Sequence, residues 1–127
     1  MSAHKLAVIF LLCSGLFSIA EGHHNNRPLY NQEQVIQIQG RVTEVWYVNP
    51  HTRLYLMVTD NEGNEKLWEA EARDRGQLDR SGWKYNLIVE GDEVVVTGRP
   101  ARDGGPRLQL LTILRPSDGW AGIGYTS

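Results

Sequence analysis

Five runs of β-branched and aromatic residues, each closed by a short cluster of turn-forming residues, restrict the fold of this chain more than any other feature. The first, Val35 to Val48, spreads Val35, Ile36, Ile38, Val42, Val45, Trp46, Tyr47 and Val48 over both faces and is too long for a flat strand. Gly40 sits inside it, where a missing side chain permits a bulge or sharp bend, so the run reads as one strand coiled about its middle. Asn49-Pro50-His51 ends it, because Pro50 has no amide donor and biases Asn49 away from helix. Arg53 to Thr59 alternates Leu54, Leu56 and Val58 with Tyr55 and Met57. The turn residues Asp60-Asn61-Glu62-Gly63 then lead into Glu65 to Ala72, which predicts an antiparallel hairpin.

From Arg73 to Ser81 the alternation stops. This segment is charged, has Leu78 as its main apolar residue and meets Gly82, which predicts one short helix. Asn86 to Val89 is apolar again, Glu90-Gly91-Asp92 is a turn, and Glu93 to Arg99 is a β-branched strand stopped by Pro100. After Asp103-Gly104-Gly105-Pro106, Arg107 to Leu114 makes the last strand, and Gly119, Gly122 and Gly124 predict a loose tail. Three strands, a short helix and two strands, with a long bent first strand, is the element order of the OB-fold, a mainly β, five-stranded Greek-key barrel. An open antiparallel sheet packed by one helix gives the same string; the barrel, over residues 35–116, is the expected architecture.

The residues before this domain read as an address. Lys5 precedes an apolar run from Leu6 to Leu12 that resumes at Leu16, Phe17 and Ile19, with small side chains at Ser18 and Ala20. That is the layout of a secretory signal peptide at 1–20, cleaved after Ala20 or two residues later after Gly22. Cys13, Ser14, Gly15 and Ser18 interrupt the run, which argues against a retained anchor, since a spanning helix needs about 20 apolar residues. Leu12 before Cys13 argues against lipid attachment. Removal of the leader leaves roughly 107 residues, enough for one domain with its own core, preceded by a polar arm at 21–34 and followed by a tail at 117–127. Cys13 is the only cysteine, so a periplasmic or secreted mature chain has no disulfide, thiolate ligand or thiol nucleophile. It also loses Lys5 from a net charge already at −2. Because phosphate affinity rests on clustered Lys and Arg, the expectation is no nucleic-acid partner, and no membrane insertion once the leader is gone. The local group Arg73, Arg75, Arg80 and Lys84 is interleaved with Asp74 and Asp79, which reads as a solvated helix face.

Three constellations remain that could carry chemistry. His23 and His24 lie close to the expected mature N-terminus. A cut after Ala20 leaves His23 third behind a free amine, so that the amine, two amide nitrogens and the imidazole can wrap Cu(II) or Ni(II) in a square plane. A cut after Gly22 makes His23 the terminal residue, whose amine and ring chelate copper with another imidazole. Solvated histidines of a mobile arm are the structural alternative. His51 follows Pro50 at the strand end where OB-folds present binding loops; it joins a metal or fixes the turn. Glu69 and Glu71 alternate with Trp68 and Ala70, so both carboxylates share one face, either as an acid–base pair or as the wet face of a strand. Trp46 and Asn49, flanking the same loop, complete a candidate ligand or partner surface. Of the tryptophans Trp46, Trp68, Trp83 and Trp120, at least two are expected in the core, and an exposed one would mark a binding surface.

These strings together, His23-His24, Asn49-Pro50-His51, Trp68-Glu69-Ala70-Glu71, Ser81-Gly82-Trp83, Gly91-Asp92 and Arg102-Asp103-Gly104, resemble a functionally uncharacterised family of exported bacterial proteins. The resemblance spans nearly the whole mature chain and implies a small exported β domain, without bringing an established activity. No Ser-His-Asp pattern, phosphate-cradling glycine loop or HExxH helix is present. The reading is a non-catalytic binding or accessory protein, with Cu(II) as the one cofactor and an unidentified protein or small ligand as partner. The alternatives are an enzyme built on Glu69 and Glu71 near His51, and a metal-free protein-interaction module.

Overall fold

The computed structural model describes residues 28–126. The elements are β1 (Ile36–Trp46), β2 (Arg53–Thr59), β3 (Glu65–Glu71), α1 (Arg75–Arg80), β4 (Glu93–Pro100), β5 (Arg107–Arg115) and β6 (Trp120–Ile123). β1 serves two partners. Its first half pairs antiparallel with β4, from Ile36 opposite Gly98 to Arg41 opposite Glu93, and its second half with β2, from Arg41 opposite Met57 to Trp46 opposite Arg53. β2 continues to β3 and β4 to β5, both antiparallel. A short parallel pairing of Glu69–Glu71 with Arg107–Gln109 then closes the five strands into a barrel. This is the OB-like architecture expected from the element order, with one added strand.

The bend in β1 has two separate causes. The bulge lies between Val42 and Glu44, not at Gly40. Gly40 serves the crossing itself, since a Cβ there would stand 2.6 Å from the Met57 carbonyl oxygen, so a side chain would push β2 away.

Strand alternation fills the barrel. Val42, Leu54, Leu56, Ala70, Val94, Val96, Leu108 and Leu110 are fully buried. α1 closes one end: Asp74 caps it by accepting the Gln77 amide at 2.9 Å, and Leu78 is buried beneath it. A helix of this length is marginal by itself, so the burial of Leu78, worth about 1.5–3 kcal/mol, is what holds it. Trp83 is buried in the same plug, edge-on to Trp120 at 5.4 Å between ring centroids, and donates its indole N–H to Ile123 O at 3.1 Å. Trp68 and Trp120 pack half-buried against the core and Trp46 is exposed.

Both ends of the domain depart from the sequence reading. The expected loose tail contains β6, which pairs with β5 from Thr112 opposite Ile123 to Arg115 opposite Trp120. Its pairing is continued by Gly124 and Tyr125, whose amides donate to Leu111 O and Leu110 O at 2.9 and 2.8 Å. Structure also starts before Val35: Tyr30 forms an isolated bridge with Ala101 and is buried.

Candidate functional site

The pleat of β3 sends Trp68 and Ala70 toward the core and Glu69 and Glu71 to the outside of the barrel. Glu69 behaves as a strand's outer residue should. Its Oε1 accepts from Arg53 Nε at 2.9 Å and from the Tyr55 hydroxyl at 3.4 Å, the latter from the residue directly opposite on β2. Glu71 does not: it is only 8% exposed, because chain segments from both ends cover it.

From the N-terminal side Tyr30 donates its hydroxyl to Glu71 Oε2 at 2.9 Å. From the C-terminal side Tyr125 donates to Glu71 Oε1 at 3.4 Å. From the loop between β1 and β2, His51 brings Nδ1 to 3.5 Å from the same oxygen and 3.1 Å from the Tyr125 hydroxyl. Burial is the main influence on the Tyr30 phenol and the Glu71 carboxylate the next; together they hold its pKa well above the ordinary value of 10.0. The C-terminal segment is pinned in place by Arg73, whose Nε donates to Gly124 O and whose second guanidinium nitrogen donates to Ser81 Oγ.

Next to this cluster on the same outer surface, Trp46 stands edge-on to Tyr55 at 6.0 Å, 45% exposed, with its indole N–H donated to Glu44 Oε1 at 2.5 Å. Trp46 and Arg53 are cross-strand partners, as are Arg53 and Glu71. An aromatic pair, an Arg–Glu ion pair and a covered His–Glu–Tyr cluster thus lie side by side on β1, β2 and β3.

Of the residues singled out from sequence, His51 and Glu71 meet, and Trp46 and Glu69 lie on the adjoining surface. Asn49 is drawn elsewhere: across a cis Asn49–Pro50 peptide bond from His51, its Oδ1 accepts the Arg75 amide at 3.1 Å, so it braces the start of α1. His23 and His24 fall outside the described residues. Among the described residues no three His, Cys, Asp or Glu side chains gather as a metal site would need, and no helix is long and apolar enough to cross a membrane. In the basic group around α1, Arg75 is committed to its neighbours, lying over the rings of Tyr47 and Tyr85 at 5.5 and 5.6 Å. Sequence reasoning missed Tyr30 and Tyr125, which lie in segments read as arm and tail.

The class this defines is a small OB-like barrel with a polar and aromatic site on the outer β2–β3 surface and the β1–β2 loop, the region where such barrels hold ligands. The chain belongs to the Family of unknown function (DUF6152), whose profile matches residues 10–108. No curated protein matches it. Among solved structures it is similar in fold to the mitochondrial single-stranded DNA binding protein of S. cerevisiae, at 15% identity and a TM-score of 0.47, over 63% of this chain and 91% of that one. It is also similar to the small single-stranded DNA-binding protein of Streptomyces coelicolor, at 19% identity and a TM-score of 0.42, over 65% of this chain and 90% of that one. The expectation of no nucleic-acid partner is corrected by these neighbours, both of which are single-stranded DNA-binding proteins by name. It was drawn from the charge of the whole chain, and net charge does not report the character of one surface.

Proposed function

We propose that the protein is an exported, non-catalytic binding module that takes its ligand on the outer β2–β3 surface, with Trp46, Tyr55, Arg53, Glu69, Glu71 and His51 as the contacting or supporting residues. The observation that carries this reading is the burial of Glu71 under Tyr30, Tyr125 and His51. A carboxylate on the outside of a barrel costs nothing in water, whereas covering it carries a desolvation cost that stability alone does not repay. Such an arrangement fits a preorganised site better than a structural strut.

A titration followed by ¹⁵N–¹H NMR tests it, with Cu(II), a neutral oligosaccharide and an oligothymidylate as probes. The expected result is a set of shifts centred on Trp46, His51, Arg53 and Tyr55 for one of them. Shifts confined to the β5–β6 side of the barrel would refute the assignment of the surface.

Copper is the ligand proposed for the mature N-terminus, with His23 as the indispensable arm residue. Mass spectrometry of the exported chain identifies the cut. An N-terminus at Glu21 or His23 supports the chelate, and any other, or a retained leader, removes it. Binding weakens as pH falls, since protons compete for the amine, amides and imidazole.

A further inference from the structure

β2 carries a strip of outward side chains along its whole length. Its own contributions are Arg53, Tyr55, Met57 and Thr59, which alternate with the buried Leu54 and Leu56. From β1, Trp46 lies opposite Arg53, Glu44 opposite Tyr55 and Arg41 opposite Met57. From β3, Glu71, Glu69 and Leu67 lie opposite the same three residues. Arg53 to Thr59 along an extended strand spans about 20 Å. The covered Glu71 cluster closes one end of the strip, beside Trp46 and Tyr55. The other end opens into a groove of about 440 Å³ over the bend of β1, floored by Gly40 and Met57 and walled by Gln39, Arg41, Thr59, Glu65 and Glu93. A groove of that volume holds a small organic ligand.

Two features of the strip define what it can hold. The first is a fixed aromatic platform. Trp46 is 45% exposed, yet its ring is held by the edge contact with Tyr55 at 6.0 Å and by the indole N–H donated to Glu44. A rigid, exposed indole offers an apolar surface to a ligand at little entropic cost. The second feature is the state of the polar groups. Arg41 and Glu93 are direct partners across β1 and β4, the placement at which opposite charges stabilise a sheet. Among the described residues neither side chain has an ion-pair or hydrogen-bond partner, and nor has Glu65. Unused donors and unused acceptors therefore line the same groove. At the Trp46 end Arg53 and Glu69 repeat the combination as a bonded pair at 2.9 Å.

A sugar hydroxyl is donor and acceptor at once, and the C–H face of a pyranose ring is apolar. A chain of pyranoses thus offers a ring face to the indole and hydroxyls that satisfy arginine and carboxylate alike, without bringing a charge of its own. We propose that the strip binds an uncharged, extended oligosaccharide, with one ring on Trp46 and the far end in the groove at Arg41, Glu65 and Glu93. The proposal rests on the reading of this surface as the ligand site and names the class of ligand. β2 pairs with β3 without a register shift, so a chain lying along it has to be extended. A β-linked glucose chain is a flat ribbon, whereas an α-linked one curls away from such a strip.

The experiment is a calorimetric titration of the purified protein with cellotetraose, cellobiose, maltotetraose and an oligothymidylate, with the strip followed by ¹⁵N–¹H NMR. Cellotetraose is expected to bind and to shift the Trp46 indole N–H signal, and maltotetraose to bind more weakly. Trp46→Ala should weaken cellotetraose binding by about tenfold; Trp46→Phe, which keeps a smaller ring, should weaken it less and serves where the alanine variant folds poorly. Arg41→Ala and Glu93→Gln should each weaken cellotetraose by about threefold or more and leave cellobiose unchanged, because a disaccharide on Trp46 does not reach the groove. A loss of fold would weaken both sugars alike. Absence of cellotetraose binding, or equal affinity in wild type and both Trp46 variants, would overturn the proposal, and equal affinity for maltotetraose would overturn the extended geometry. Shifts along the strip with oligothymidylate and with no sugar would overturn the sugar while leaving the surface as the ligand site; shifts confined to the β5–β6 side would remove both.

Discussion

Tyr30→Phe tests the covered carboxylate with two readings from one substitution. Tyr30 is 3% exposed, so phenylalanine keeps the packing and removes only the hydroxyl that donates to Glu71 at 2.9 Å. A hydrogen bond to a charged group contributes about 1.5–3 kcal/mol. For a domain of this size, a loss of about 2 kcal/mol lowers Tm by roughly 10 °C. The second reading is alkaline. The native phenol is held above its ordinary value of 10.0, by burial first and then by Glu71, so native Tyr30 stays protonated while the unfolded chain ionises. Its contribution is complete below pH 10 and declines above it. At pH 11 the unfolded state gains about 1.4 kcal/mol from this ionisation, one pKa unit's worth, and the phenylalanine variant has no such term. Urea unfolding followed by tryptophan fluorescence should therefore show the variant about 2 kcal/mol less stable at pH 7 and nearly equal to wild type at pH 11. A difference below about 0.5 kcal/mol at pH 7, smaller than any hydrogen bond to a charge, refutes the buried contact. A difference that does not shrink by pH 11 refutes the account of the phenol.

Thr52 is fully buried and its Oγ1 has no hydrogen-bond partner among the described residues, so Thr52→Val should raise stability by about 1 kcal/mol, measured as an increased urea midpoint at unchanged slope. Gly124→Ala should lower stability and loosen Tyr125, because a Cβ there overlaps the Leu110 side chain and carbonyl; faster amide exchange at Gly124 and Tyr125 is the check. Asp118 is held at a pKa of about 2 by hydrogen bonds from Arg115 first and the Trp120 amide next. Its stabilising effect should be present above about pH 4 and vanish as pH falls through 2, visible as a low carboxyl midpoint by ¹³C NMR that Arg115→Gln raises.

The barrel was readable because its cause is local. Leu54, Leu56 and Val58 alternate with Tyr55 and Met57, which sets β2 within its hairpin, and Leu78 alone among charged neighbours marks a short helix that needs a barrel end to cover. The bulge at Thr43 was not readable: glycine advertises freedom at position 40, and the crossing of β2 uses it for close approach, while the extra residue is accommodated where β1 changes partner. β6 was hidden for a related reason. Its Gly122 and the adjoining Gly124 look like loop residues, yet small side chains are required where Trp83, Trp120 and Leu110 pack against the strand.

The candidate site divides along the same line. Alternation places Glu69 and Glu71 on one surface and Pro50 places His51 at a loop, and both statements hold from sequence alone. What separates the two glutamates is their cover, and the cover comes from Tyr30 and Tyr125, near opposite ends of the described chain. No periodicity links those residues to β3, so no local pattern could distinguish a strand's wet face from a shielded carboxylate. Energetics separate the two where pattern does not. Replacing buried charged groups with apolar residues of similar volume is often neutral or stabilising, so a chain shaped by stability alone has no need to bring two tyrosines and a histidine to one glutamate. The barrel interior, from Val42 to Leu110, follows from burying apolar surface; the Glu71 cluster does not, and it is there that function has to be sought.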